Sequence, residues 1–370
     1  MENPDIAPNA ARCRFRRIVV KVGSNVLTRA DGTLDTDRMA ALADQIAALH
    51  RAGVEVIVVS SGAVAAGRGV IAAGHRLDAV SARQLYSAVG QVKLIRRYYE
   101  LFDARGIVCG QVLTTKESLS TRRQYLNQRN CMEAMLAAGV VPIVNENDTI
   151  SVTELMFTDN DELSGLVAAM MGAEALVILS NIDGIYDGSP SDPASQVIRR
   201  VAPGRDLSQY IDTARSSRGR GGMTTKSRIS SRAAGEGIEV VIANGRRDNI
   251  LTDLILTDRD VVCTRFEADP RPASGVKKWI ASSEGFAKGA LHLDAGAAAA
   301  VSQSKAASIL AVGVTAVEGD FERDDIVRIL SPEGAPLGVG RISCDSATAR
   351  RNLGRKGLKP LIHCDYLYLE

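Results

Sequence analysis

The stretch Arg17-Ile18-Val19-Val20-Lys21-Val22-Gly23-Ser24-Asn25 decides the fold. Its first six residues are rich in β-branched side chains and apolar at nearly every position, which suits a strand covered on both faces. A lysine stands one residue before the end of the strand, and Gly23 follows Val22, where the chain must turn. The same texture returns at Val54–Val59, Ile107–Leu113, Val140–Val144, Ala175–Leu179, Ile238–Ala243 and Val261–Thr264, with helical patterns between the runs. Between the first two, Asp35 or Thr36 suits an N-cap and Met39, Leu42, Ile46 and Leu49 share one helical face, with Gly53 standing where a C′ glycine ends a helix. The pattern predicts an α/β fold, a mainly parallel central sheet with helices on both faces, in an αβα sandwich. In such sheets ligands bind at the carboxyl ends of the strands.

Composition bounds the rest. The 370 residues carry 45 Lys+Arg against 43 Asp+Glu, a net +2 that argues against a polyanion-coating protein as a whole. With 45% apolar and 24% charged residues the chain reads as globular. The longest apolar runs, such as Val56–Val59 and Ala175–Leu179, fall far short of the roughly 18 residues of a membrane helix. Met1–Arg17 is polar and reads against a signal peptide. The six cysteines include no C-x-x-C pair, which gives neither a metal-ligand set nor a disulfide framework and fits a cytoplasmic setting. Cys109 reads as a small buried hydrophobe.

The length exceeds what one core usually holds, so a smaller second domain is expected. Arg265–Gly275, with two prolines spaced by one residue, reads as a linker. Beyond it the runs Ile309–Val314, Ile326–Leu330 and Leu337–Ile342 suggest a small β-rich domain. The expected division is a tail 1–14, a main domain 15–264, a linker 265–275 and a second domain 276–370.

The strand ends carry the candidate chemistry. Lys21 with Gly23 suits a phosphate, and a solvated strand-end lysine is the alternative. Ser60-Ser61-Gly62 through Gly67 offers either an anion site at a helix start or tight packing of small residues. Asn145-Glu146-Asn147-Asp148 and Asp159-Asn160-Asp161-Glu162 are acidic-amide clusters that suit an ammonium group or orient lysines, while Asp159 reads as a helix cap. Ser180-Asn181 closes the fifth run with polar groups suited to a nucleotide. Arg215–Lys226 combines glycines, hydroxyls and a helix-start lysine, as a triphosphate requires. It does not fit a Walker A loop, and a flexible RNA-binding segment is its competing reading.

Taken together these segments resemble the amino acid kinase family. The matching pieces are Val19–Thr28, Val58–Gly67, Val141–Asp148, Asp159–Asp161 and Gly221–Lys226, in order over about 250 residues. The part from Val276, with Lys277–Ile280, is similar to a PUA domain. Within the family the combination of N-E-N-D and G-G-M-T-T-K points to the branch that phosphorylates the side-chain carboxylate of L-glutamate at the start of proline synthesis. The resemblance implies ATP as co-substrate, with Mg²⁺ held by its phosphates and no metal ligand from the protein. It gives Lys21, Lys226 and Asp161 the catalytic roles, Asp161 holding both lysines. It implies Ser61, Asp148 and Asn160 for the amino acid, Asp148 facing its ammonium, with backbone N–H groups of Gly23 and Gly62 on the transferring oxygens. Lys21, Gly23, Ser180, Asn181, Arg220, Gly221, Gly222, Met223, Thr224, Thr225 and Lys226 fall on the nucleotide side. Ser180-Asn181 and Arg220 depart from the family pattern of Thr-Asp and a small residue. A homo-oligomer and feedback inhibition by proline are further implications. Sister kinases acting on aspartate or N-acetylglutamate, and an RNA-binding protein on a kinase-like core, are the alternatives. RNA binding through Arg350–Lys359 stands beside a solvated face or subunit contact, which the lack of an interleaved aromatic favours.

The charge, neutral in sum, is divided. Asn130–Ile198 holds eleven acidic residues and no Lys or Arg, whereas Arg199–Gly235 holds nine basic residues against two acidic. That division suits a cleft binding both an ammonium group and ATP.

Overall fold

In the computed structural model, which describes residues 14–71, 77–119, 122–150, 160–190, 192–211, 222–270, 287–303 and 307–369, the opening run is the strand β1 (Arg17–Val22). The chain divides into two compact units, Met1–Thr115 with Arg129–Pro272 and Lys116–Gln128 with Ala273–Glu370. The first holds an eight-stranded sheet with order β3-β4-β2-β1-β5-β7-β8-β6. Its other strands are β2 (Glu55–Ser60), β3 (Cys109–Thr114), β4 (Val141–Glu146), β5 (Ala175–Ser180), β6 (Arg200–Val201), β7 (Glu239–Asn244) and β8 (Thr264–Phe266). All pairs are parallel except β7 with β8. β1, β2, β4 and β5 are buried almost throughout, as their apolar sequences require.

The helices are α1 (Ser24–Leu27), α2 (Thr36–Arg51), α3 (Ala63–Arg68), α4 (Ala79–Asp103), α5 (Arg122–Ala137), α6 (Asn160–Met171), α7 (Ser208–Ile211), α8 (Met223–Gly235) and α9 (Ile250–Ile255). Asp35 caps α2 by accepting from the Arg38 N–H, and Met39, Leu42, Ile46 and Leu49 are buried on its inner face. Gly53 ends it with φ +83°, in the left-handed region that favours glycine. Gln45 is buried on the same helix: its Oε1 accepts the Leu251 N–H at 2.8 Å, so α2 satisfies an orphan donor in the first turn of α9.

Two features differ from the sequence reading. Only Thr264 of Val261–Thr264 lies in a strand, and that strand continues through Arg265 and Phe266, the start of the expected linker. Phe266 is buried, which ties this segment to the sheet rather than to solvent. β6, two residues long, had no pattern to read.

α3 and α4 cross backbone to backbone. A Cβ on Gly67 would lie 1.9 Å from the Tyr86 carbonyl oxygen, and one on Gly90 1.7 Å from that of Ala63. Close packing therefore explains the small residues after Ser61, the alternative to an anion site there.

In the second unit β9 (Gly289–Leu293), β10 (Val314–Gly319), β11 (Ile326–Leu330), β12 (Pro336–Arg341) and β13 (Leu367–Leu369) form a sheet of order β10-β9-β11-β12-β13. α10 (Ala295–Gln303) and α11 (Ser346–Arg351) accompany it, over a core that includes Leu291, Val327, Ile329, Ile342 and Ile362. Ile326–Leu330 is a strand with the bounds expected, whereas Ile309–Val314 is mostly a bridge and a turn. No helix among the described residues is long and apolar enough to cross a membrane.

Candidate active site

The chain builds outward in one direction from β1 through β2 and in the other through β5, so β1 lies at the point where strand order reverses. That is where an α/β sheet opens a crevice at its carboxyl edge. Lys21 sits near this end of β1, in register with Val59 and Ile178. Asp161 lies in the first turn of α6 and Lys226 in the first turn of α8.

These three residues, far apart in sequence, meet. Lys21 Nζ contacts Asp161 Oδ1, and Lys226 Nζ donates to Asp161 Oδ2 at 2.8 Å. Asp161 is fully buried, and the lysine side chains are 7% and 11% exposed. Burial alone would raise the Asp161 carboxyl, but the two ammonium groups outweigh it and hold the group below the ordinary carboxylate range. The cluster keeps one surplus positive charge in a site screened from water.

A second polar network lies at the ends of β2 and β4. Asn160 Nδ2 is within 3.0 Å of Ser60 O, 2.9 Å of Ser61 Oγ and 3.0 Å of Asn145 Oδ1. Asn145 Nδ2 donates to Gln91 Oε1 at 2.8 Å. Behind them Ser60 Oγ and Tyr98 OH are 2.9 Å apart, and burial pushes the Tyr98 phenol up to about 12, so it stays neutral. Asp148 is also enclosed: Arg83 Nε donates to its Oδ1 at 2.8 Å and Ser87 Oγ to its Oδ2 at 3.2 Å. Arg83 Nη2 reaches Glu146 Oε2 at 3.2 Å as well.

Of the residues singled out in sequence, Lys21, Asp161 and Lys226 form one cluster, and Ser61 and Asn160 a second. Asp148 stands in a third, with α4. Gly23 departs from expectation. Its N–H donates to Leu179 O at 3.2 Å, so it is occupied within the sheet edge rather than presented to a ligand. A Cβ there would lie 3.1 Å from the same oxygen, which accounts for the glycine. Gly62 precedes α3 with φ +110°. Ser180 is buried with its carbonyl accepting the Gly245 N–H at 2.8 Å, and Asn181 is exposed beside it. Gly222 is the N-cap of α8, with Met223, Thr224 and Thr225 in its first turn. Arg220, Gly221, Asp159, Lys277–Ile280 and most of Arg215–Lys226 lie outside the described residues.

Sequence reading missed Arg83, Ser87 and Gln91. Their spacing of four residues was the available signal, since it puts three polar groups on one face of the helix.

Both oxygens of Asp161 face lysines and both of Asp148 face Arg83 and Ser87, a donor set that leaves neither carboxylate arranged to ligate a metal ion. Among the described residues the one group with metal-ligand spacing, His363, Cys364 and Asp365, belongs to the second unit.

Residues 16–244 match the amino acid kinase family and residues 289–361 match the PUA domain. The chain is 64% identical over 356 residues to the glutamate 5-kinase of Bacteroides thetaiotaomicron, covering 96% of this chain and 99% of that protein. It is 48% identical over 357 residues to that of Chlorobaculum tepidum (96% and 98%) and 41% identical over 370 residues to that of a Jannaschia species (96% and 98%). The chain belongs to the amino acid kinase family and, within it, to the glutamate 5-kinases.

Proposed function

We propose that this chain transfers the γ-phosphoryl group of MgATP to the side-chain carboxylate of L-glutamate, giving L-glutamyl 5-phosphate for proline synthesis. The observation that carries the reading is the buried Asp161 bridging two lysines at the sheet's switch point. Full-length likeness to glutamate 5-kinases supports the acceptor.

The chemistry asks little proton work of the protein. A glutamate side chain, with an ordinary value of about 4.3, is already ionised near neutrality. One carboxylate oxygen forms a bond to the γ-phosphorus, the bond from that phosphorus to the ADP oxygen breaks, and no proton moves. What remains is alignment and relief of charge on the oxygens in flight. Lys21 and Lys226 supply that relief, and Asp161 holds their ammonium groups in place before substrate arrives. Asn160 and Ser61 orient the reacting carboxylate, and Asp148 takes the substrate ammonium. Gly222 to Thr225 are the proposed contacts to the nucleotide phosphates and Ser180 and Asn181 those to the nucleoside, with Arg220 and Gly221 assigned to the phosphates by the family pattern alone. The Gly62 N–H is offered to a transferring oxygen, and Gly23 serves through its small size. The metal arrives with ATP, held by phosphate and water oxygens, which suits a site whose carboxylates are taken by cations.

The reading extends to a kinase domain from residue 15 through the end of β8, a PUA domain at 276–370, a cytoplasmic homo-oligomer, and inhibition by proline. In the second unit Arg350 donates to Gly319 O at 2.5 Å and lies 3.4 Å from Asp320, which favours a structural use of that arginine over RNA binding.

A coupled ADP-release assay tests the reading with L-glutamate, L-aspartate, N-acetyl-L-glutamate and no acceptor. ADP release that depends on L-glutamate is expected, and preference for either other acceptor indicates a sister kinase. Lys226→Ala is expected to abolish turnover while leaving the circular dichroism spectrum unchanged. Wild-type turnover in that variant removes the proposed role of Lys226.

A further inference from the structure

We propose that Gln91 is a positioning residue for phosphoryl transfer: through Asn145 and Asn160 it turns the Ser61 hydroxyl proton toward the side-chain carboxylate of the substrate. The inference rests on the glutamate reading above and deepens it by saying what aims Ser61. Gln91 lies on α4 directly after Gly90, whose missing side chain lets the helix press against the Ala63 carbonyl oxygen. That contact fixes the helix at the level where Gln91 meets Asn145 of β4.

The direction of the hydrogen bonds follows from a donor that cannot reverse. The backbone N–H of Glu146 donates to Asn145 Oδ1 at 2.9 Å, so the oxygen of that amide must face it. The nitrogen then faces Gln91, whose Oε1 accepts from it at 2.8 Å. Asn145 is 3% exposed, which makes solvent a poor substitute for this acceptor. With Asn145 held, its Oδ1 also accepts from Asn160 Nδ2 at 3.0 Å. That bond turns the nitrogen of the second amide, rather than its oxygen, toward Ser61 Oγ at 2.9 Å and Ser60 O at 3.0 Å. Ser61 Oγ thus receives an N–H on one side, and its own proton points elsewhere. Among the described residues no acceptor takes that proton. The Ser60 hydroxyl is not available for the same task, since it donates to Ser61 O at 3.0 Å and lies 2.9 Å from Tyr98 OH. A carboxylate oxygen is the matching acceptor for Ser61, because an O–H···O⁻ bond is charge-assisted and holds the attacking oxygen in line with phosphorus. The proton stays on Ser61 throughout.

A rival account has Gln91 only tie α4 to the sheet, in which case its loss acts on turnover independently of Ser61. A double-mutant cycle separates the two. Steady-state ADP release with L-glutamate would be measured for wild type, Gln91→Met, Ser61→Ala and the double variant. Gln91→Met keeps the length of the side chain without its acceptor. It is expected to lower kcat/KM for L-glutamate roughly 30-fold, the order of one hydrogen bond to a charged group, while the KM for MgATP changes less than about threefold. In the Ser61→Ala background the same substitution is expected to cost less than about threefold more, because the hydroxyl it aims is gone. Should Gln91→Met fail to fold, Gln91→Ala takes its place in the cycle. An equal loss with and without the Ser61 hydroxyl, no loss at all, or an equal effect on the KM for MgATP overturns the proposal. Wild-type enzyme that releases no ADP with L-glutamate overturns the glutamate reading itself, a result seen before any variant is compared.

Discussion

Replacing Asp161 with Asn removes one negative charge from a place where no water can substitute for it. Asp161 is fully buried and each of its oxygens faces a different lysine. Two ammonium groups bound to one carboxylate stand on the order of 5 Å apart, and at an effective dielectric constant near 20 their repulsion is roughly 3 kcal/mol. In the native protein the carboxylate outweighs this, while in the variant Asp161 no longer offsets it. Together with the lost attraction, the expected destabilisation is about 3–5 kcal/mol, the usual range for breaking a buried ion pair. For a domain of this size that lowers the melting temperature on the order of 10 °C. Urea denaturation and thermal melting, each with and without MgATP, would measure it. The phosphates restore the missing negative charge, so MgATP should raise the melting temperature more in the variant than in wild type. The pH dependence has a definite sign. The Asp161 carboxyl is depressed in the folded protein, so its contribution is full above the unfolded value of about 3.9 and is lost as pH falls through the lower folded value. The gap between wild type and variant should therefore hold steady from pH 5 to 8 and narrow below about pH 4. A gap under 1 kcal/mol at pH 7, or one that widens on acidification, would refute the reasoning.

Two further substitutions probe the frame of the site. Gly90→Ala puts a methyl group 1.7 Å from the Ala63 carbonyl oxygen, which as backbone cannot rotate aside, so a loss near the upper end of about 1–3 kcal/mol is expected in urea denaturation. Gln45→Ala strips the Leu251 N–H of its acceptor at the buried start of α9, and should cost about 1–3 kcal/mol and speed hydrogen exchange at the Leu251 amide.

The parallel sheet was legible because its strands are apolar along their whole length, a pattern that only two-sided burial demands. Arg17–Val22 is a strand with the bounds read from sequence, while β2, β3, β4 and β7 each begin and end one or two residues further toward the carboxyl end. The bounds of β8 were misread because they depend on its pairing with β6 and β7, a tertiary fact that leaves no local trace. A polar strand end flagged Lys21 and an acidic-amide helix start flagged Asn160 and Asp161, yet the meeting of Lys226 with Asp161 across 65 positions follows from topology rather than from either segment. The N–H of Gly23 was assigned to a ligand because the pairing that consumes it comes from Leu179, on another strand. Arg83 escaped notice since an arginine on a long helix is ordinarily a solvated one.

The separation between Asp161 and Lys226 also has a temporal meaning. A ribosome releases the chain from its amino end, and Lys21 and Asp161 are both synthesised before α8 exists. Until that helix docks, one cation and one anion cancel. On the proposed reading, the cation pair of the site is completed only when α8 docks and brings Lys226 to Asp161.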